Sequence, residues 1–216
     1  MVKQILLATS NQGKLKEFQD LFNHADLGTA VQIRSLAEFP QVDSPEENAP
    51  SFIGNALIKA YHGAALTGLP TLADDSGICV DALQSAPGIY SARFAQMQNF
   101  TPEDPSINKE QLNFLSLLET LAKVPEGQRQ AHFYCCLVLV RFPNDPEPLV
   151  AVGTCEGYIL FNAVGTNGHG YDPIFFSPEL NLSFAQATMA QKNSVSHRHR
   201  AFADLIQRGL KEFLAK

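Results

Sequence analysis

A short apolar run, Gln4-Ile5-Leu6-Leu7-Ala8-Thr9, is cut off by the polar loop Ser10-Asn11-Gln12-Gly13, and a stripe of Leu15, Phe18, Leu21 and Phe22 follows. A continuous apolar run of that length suits a strand buried on both faces. Apolar residues three and four apart suit a helix with one face turned inward. Strand, glycine-bearing loop and helix in this order restrict the chain to an α/β fold. They also aim the helix amides and the positive end of its dipole at whatever occupies the loop.

The remaining segments fit the same class. Val31 to Arg34 reads as a short strand, and an acidic loop with Asp43, Glu46 and Glu47 comes after it. Ser51 can cap a helix running to about Thr67, closed by Gly68 and then Pro70. Strands are expected near 70–74 and 77–81, a turn at Pro87-Gly88, and a loop over 96–108. Leu112, Leu115, Leu118 and Leu121 suggest another helix. His132–Phe142 and Leu149–Phe161 read as two long strands joined by a turn at Pro143-Asn144-Asp145-Pro146. A glycine-rich stretch over 165–170 precedes a final helix from about Ser194, with Phe202, Leu205, Ile206, Leu210 and Phe213 on its apolar face. With no repeat, low-complexity tract or linker, the 216 residues are expected to form one domain with a mixed sheet and two lobes around a cleft.

Charge narrows the partners. The formal net charge is −6, whereas a large nucleic-acid-binding face needs clustered positive charge. A small anionic ligand needs only local cations. No run approaches the ~18 apolar residues of a membrane span, and the first residues turn polar too early for a signal peptide. Cys79, Cys135, Cys136 and Cys155 show no CxxC spacing and read as buried thiols, with Cys135 and Cys136 on opposite faces of one strand. A reducing compartment, most simply the cytoplasm, follows.

Chemistry concentrates in four places. At Thr71-Leu72-Ala73-Asp74-Asp75-Ser76-Gly77 an apolar run ends in two adjacent carboxylates and a turn pair. Successive strand side chains face opposite ways, so one aspartate can face a cleft while the other needs structural partners. Such a carboxylate suits a hard cation such as Mg²⁺, or the polarising of a water; alternatively the motif is a strand end making backbone bonds. The segment Ala8–Leu15 carries Gly13-Lys14 but lacks the first glycine and the hydroxyl residue of GxxxxGK[ST], so a standard P-loop is excluded. Lys14 at the helix start can still hang near the Asn11-Gln12-Gly13 amides as an anion site, or simply be solvated. Asn55, Lys59 and His62 form one polar stripe, facing either solvent or a ligand.

The fourth place is the C-terminal third. Gly165-Thr166-Asn167-Gly168-His169-Gly170-Tyr171-Asp172 offers open backbone, two rings able to sandwich a base, and a carboxylate; a glycine hairpin with Tyr171 in the core is the other reading. Lys192, His197, Arg198, His199 and Arg200 gather at the start of the last helix, where cations oppose the helix dipole. Either a solvated face or donors for an anionic or carbonyl-rich ligand would account for them. His197 and His199 lie about 200° apart on a helix, which disfavours paired zinc ligation.

Six collinear motifs carry a family resemblance: Ala8–Lys14; Ser51–Ala56 with Lys59-Ala60; Ala73–Gly77; Ala86–Arg93; Gly170–Phe175; and Lys192-Asn193 with Ser196-His197-Arg198. Across nearly its whole length the chain resembles the inosine triphosphate pyrophosphatases, which remove deaminated purine nucleoside triphosphates from the nucleotide pool. The resemblance implies an elongated central sheet flanked by helices, with the nucleotide in the cleft, and a homodimer. It implies Asp75 as general base, and Glu47 with Asp75 as Mg²⁺ ligands. Thr9, Ser10, Asn11, Gln12, Gly13 and Lys14 would line the triphosphate, with Ser76 close by; Lys59 of the polar stripe is a candidate phosphate partner if its edge of the helix borders the cleft. His169, Gly170, Tyr171, Asp172, Lys192, His197 and Arg198 would surround the base. Two positions depart from the family: His169 stands where Phe is usual, and Gln186 where an acidic residue is common.

The expected activity is Mg²⁺-dependent hydrolysis of (d)ITP and XTP to monophosphate and pyrophosphate. Two rivals have distinct signatures. A Maf-like nucleotide pyrophosphatase would open with Ser-Pro-Arg-Arg rather than Ser10-Asn11-Gln12-Gly13-Lys14. A non-catalytic nucleotide-binding module would have no need of both Glu47 and Asp75.

Overall fold

The computed structural model describes residues 2–25, 27, 31–39, 44–102, 104 and 106–215. The acidic-loop residue Asp43 lies outside them. Strand β1 (Lys3–Leu7), helix α1 (Gln12–His24) and strand β2 (Val31–Ser35) realise the opening pattern. Asn11 caps α1, its side-chain oxygen accepting from the Lys14 N–H at 3.0 Å. Helix α2 (Phe52–Thr67) starts at a Ser51 cap and stops at Gly68, whose φ of +68° is the left-handed turn that glycine supplies. Then come β3 (Thr71–Val80), α3 (Phe94–Met97), α4 (Lys109–Thr120), β4 (Gln130–Val140), β5 (Leu149–Ile159), β6 (Phe175–Ser177), β7 (Leu182–Ser183), α5 (Met189–Val195), α6 (His197–Gln207) and α7 (Leu210–Ala215).

The strands form one sheet in the order β2-β1-β3-β4-β5-β6-β7. β1 runs parallel to β2 and β3, whereas β6 is antiparallel to β5 and β7, so the sheet is mixed as expected. The chain divides into two compact units: residues 1–75, 135–153 and 200–216 form the first, and 76–134 with 154–199 the second. In the first unit Ile5, Leu7, Phe18, Phe22, Leu72, Leu137, Leu139, Phe202 and Leu205 make a continuous core. Burying each of these large side chains contributes about 1.5–3 kcal/mol. In the second, Ile78, Val80, Phe114, Leu117, Phe133, Phe175 and Phe184 do the same.

Two expectations fail for physical reasons. Ser76-Gly77 is no turn: β3 runs unbroken through it, nearly all of it buried, because its carboxylates are neutralised by lysines from two helices. The single C-terminal helix is three. Ser196 takes extended backbone (ψ 151°) and its hydroxyl accepts from the His199 N–H, capping α6 anew, while Gly209 at φ +98° separates α7. The apolar face expected of that helix is nevertheless intact: Phe202, Leu205 and Leu210 are buried.

Asp145 holds the turn after β4. Its buried carboxylate accepts from the Arg141 backbone and guanidinium and from the Glu147 N–H. The Arg141 bonds hold its pKa down at about 2. A depressed carboxylate pKa stabilises the fold above the unfolded value and loses that effect as pH falls through the folded one. Asp145→Asn is therefore expected to cost about 2 kcal/mol or more in urea unfolding at pH 7. The gap from wild type should close between about pH 4 and pH 2; a gap independent of pH would contradict this.

Candidate active site

The small residues Ala56, Ala60, Gly63 and Ala64 line the inward face of α2. A Cβ on Gly63 would fall 2.8 Å from Leu6 and 2.9 Å from Thr71, so only glycine lets α2 lie so close to β1 and β3. That proximity brings Asn55 and Lys59 of the polar stripe against the carboxylates rather than into solvent, with His62 at the edge of the neighbouring cavity.

The two adjacent aspartates are held by different lysines, as alternation along a strand requires. Lys14 of α1 grips both oxygens of Asp74, at 2.9 and 3.1 Å. Its ammonium is thus on a carboxylate, not over the Asn11-Gln12-Gly13 amides where the sequence suggested. Lys59 of α2 reaches Asp75 Oδ1 at 2.8 Å and Glu47 Oε2 at 3.2 Å. Asn55 is fully buried and donates to Asp75 Oδ2 at 3.4 Å. A cavity of about 130 Å³ opens beside Thr9, Ser10, Lys14, Glu47, Lys59 and Asp74, and His62 also borders it. Asp75 is not on its wall and joins it through Lys59. Asn11, Gln12 and Gly13 are exposed at the start of α1.

Electrostatics in this unit are set by burial. Burial pushes the Asp75 carboxyl up to about 6 against the pull of Lys59, and Glu47 and Asp74 push it further the same way. For Lys59, burial acts to lower the pKa, but Asp75, Asp74 and Glu47 outweigh it and raise it, so the ammonium stays charged. All four cysteines are buried free thiols. Cys135 sits in the first core, and alternation along β4 turns Cys136 to the other face; burial, then Asp75 and Asp74, push its thiol up to about 12, which leaves it unreactive.

In the second unit Asp172, Lys192, His197 and Arg198 are all more than nine-tenths buried. Lys192 donates to Asp172 Oδ2 at 2.5 Å, and the His169 N–H reaches the same oxygen at 2.9 Å. A Cβ on Gly168 would lie 2.1 Å from that oxygen, so the glycine makes room for the carboxylate. The His197 ring stacks on Phe133 at 4.8 Å and 11°, and Arg198 donates to the Ser76 hydroxyl at 3.2 Å. The solvated-face reading of this basic segment therefore falls for Lys192, His197 and Arg198, and holds for His199, which is exposed.

Tyr171 turns the other way. Its ring is in the core and its hydroxyl donates to the Ser91 carbonyl at 2.8 Å, so the glycine-hairpin reading describes this ring better than a base sandwich. His169 stays half-buried, and the Gly170 N–H is held by Glu110 at 2.9 Å. Gln186 accepts from the Ser183 N–H at 3.1 Å, a bond that an acidic side chain could also make. Glu110, and Asp74 as the seat of Lys14, carry no local sequence signal; each becomes visible only through a partner 60 residues away.

An α/β protein that sets two lysines and three carboxylates beside an open strand-loop-helix is equipped to hold a polyphosphate with its cation. The sequence profile of the Ham1 family matches residues 5–208, and the chain belongs to that family. It is 46% identical over 207 residues to the dITP/XTP pyrophosphatase of Pseudomonas aeruginosa, spanning 96% of this chain and 97% of that protein. It is 48% identical over 205 residues to the enzyme of that name from Vibrio parahaemolyticus, spanning 95% and 96%. Among solved structures, a HAM1 protein from Coxiella burnetii matches with a TM-score of 0.81 at 37% identity, covering 95% of this chain and 98% of its own.

Proposed function

We infer that the chain hydrolyses deaminated purine nucleoside triphosphates, (d)ITP and XTP, to the monophosphate and pyrophosphate. The observation carrying this reading is one ammonium, that of Lys59, shared by Glu47 and Asp75 in a chain whose relatives bear the name dITP/XTP pyrophosphatase.

Mg²⁺ fits this donor set. The Lys59 ammonium already stands in for a cation between Glu47 and Asp75, both hard oxygen donors. Two carboxylates are enough for an ion that keeps several waters and takes substrate phosphate oxygens. When bound, the ion would neutralise charge on the phosphates and acidify a water. Asp75 orients the attacking water and takes its proton as the water oxygen bonds to the α-phosphorus and the α–β bridge breaks, releasing pyrophosphate; its raised pKa of about 6 makes it a better base than an ordinary aspartate. Lys14 and Lys59 stabilise the departing pyrophosphate. Thr9, Ser10 and the amides of Asn11, Gln12 and Gly13 receive phosphate oxygens, with Ser76 beside Asp75.

Base selection rests on hydrogen-bond polarity. Hypoxanthine and xanthine present a 6-oxo acceptor where adenine presents an amino donor. Donors from Lys192, His197 or Arg198 match the former, and a buried mismatch costs about 1–3 kcal/mol. His169, Gly170 and Asp172 complete the base surroundings, with Tyr171 supporting them from the core. The assembly proposed is a homodimer of single-domain chains acting in the cytoplasm, consistent with four buried thiols and the exposed Tyr158, Phe161 and Val164. No helix among the described residues is long and apolar enough to cross a membrane.

Two measurements test this. A turnover panel should show ITP, dITP and XTP hydrolysed with Mg²⁺ and not without it, and ATP slower by about 10-fold or more; equal rates on ATP would contradict the base assignment. Below about pH 6 Asp75 holds a proton that a divalent cation must displace. Mn²⁺ affinity in the nucleotide-free protein is then expected to fall by about fivefold from pH 6 to pH 5. An affinity flat across that range would contradict a raised pKa for Asp75 as a ligand.

A further inference from the structure

Asn55 occupies a position that neither lysine nor carboxylate chemistry explains. It lies on the first turns of α2, its side chain is fully buried, and it faces the site rather than an apolar neighbour. A buried primary amide is costly unless its donors and acceptor are used. Both ends are used here, by different parts of the chain. Oδ1 accepts from the Ala49 N–H at 3.0 Å, and Nδ2 donates to Asp75 Oδ2 at 3.4 Å.

The Ala49 bond settles which way the amide points, because a backbone N–H can only donate and so must meet the oxygen. The nitrogen is thereby turned to Asp75. With Lys59 on Oδ1 and Asn55 on Oδ2, each oxygen of Asp75 has a protein donor, which fixes the plane of the carboxylate. The same amide ties down the backbone two residues after Glu47. One side chain therefore spans from Asp75 to the segment carrying the other acidic group.

We propose that Asn55 is the positioning residue that sets the orientation of Asp75 and its spacing from Glu47, so that both present oxygens to one cation. This rests on the pyrophosphatase reading above. Asn55 does not touch substrate; it acts through Asp75. Outer residues that orient metal-binding carboxylates have characteristic effects, with about 10- to 100-fold lost in affinity or activity on removal.

Two variants separate positioning from mere loop anchoring. Asn55→Asp keeps the acceptor for the Ala49 N–H but replaces the donor to Asp75 with a repelling oxygen. Asn55→Ala removes both bonds. Positioning requires Asn55→Asp to lose kcat on ITP by about 100-fold, with KM within about threefold of wild type. In nucleotide-free protein, Asn55→Ala should bind Mn²⁺ about 10- to 100-fold more weakly by calorimetry, while circular dichroism shows both variants folded. Should Asn55→Asp instead keep kcat within twofold, or Asn55→Ala keep full Mn²⁺ affinity, the proposal is overturned. The cation arm decides the matter even if wild-type protein proves inert towards ITP, an outcome that would sink the pyrophosphatase reading alone. If Asn55→Asp does not fold, the Asn55→Ala binding measurement carries the decision.

Discussion

Asp75→Asn is expected to lower kcat on ITP by about 10³-fold or more, with the fold intact. General-base action supplies about 10²–10⁴ in rate, and under the proposed assignment the same substitution also removes one of the two carboxylates that would hold the cation. Asparagine is isosteric but keeps an acceptor for only one of the two donors, so it would hold Lys59 and give up the longer Asn55 contact. Removing a buried carboxylate whose pKa is already pushed up to about 6 relieves burial cost rather than adding it, so thermal stability should hold or rise slightly. Loss of turnover without loss of stability marks a side chain kept for chemistry. Near-wild-type turnover would reject Asp75 as the base, and a collapse in stability would recast it as structural.

The second large effect is expected at Lys192→Met. Lys192 and Asp172 form a pair with side chains only 7% and 2% exposed. Breaking such a pair leaves a buried carboxylate without its cation, at about 3–5 kcal/mol. Among the described residues, the Asp172 oxygen would keep the His169 N–H alone. Urea unfolding should show that loss in the single variant, and much of it should return when Asp172→Asn is added, since the uncompensated charge is then gone. The double variant has a second use. With fold restored but the ammonium absent, its preference for ITP over ATP should shrink if Lys192 reads the 6-oxo group. An unchanged preference would assign Lys192 to structure and leave the reading of the base to His197 and Arg198.

The sequence was legible where local chemistry decides and opaque where distant partners do. Ser51 and Gly68 announced α2 because caps are local bonds. The buried runs of β1 and β4 were visible because both faces are apolar. The sequence predicts two strands where β3 is one, because Asp74, Asp75 and Ser76 look like a strand end. Their neutralising lysines lie 60 and 16 residues away, and no window of sequence contains them. The last helix was read as continuous because its apolar face is continuous, whereas the break is set by the backbone of Ser196 and Gly209. Asn55 falls on the right stripe, but its two hydrogen bonds, from the Ala49 N–H and to Asp75, depend on Gly63 bringing α2 against the sheet. Tyr171 could not be assigned to core or ligand without its bond to Ser91, 80 residues earlier.

The most direct test follows the products of ITP with Mg²⁺. One inosine monophosphate and one pyrophosphate should form per turnover, resolved by anion-exchange chromatography and ³¹P NMR, with no diphosphate intermediate. Inosine diphosphate and free phosphate as first products would place the cleavage at the wrong bridge and contradict the account.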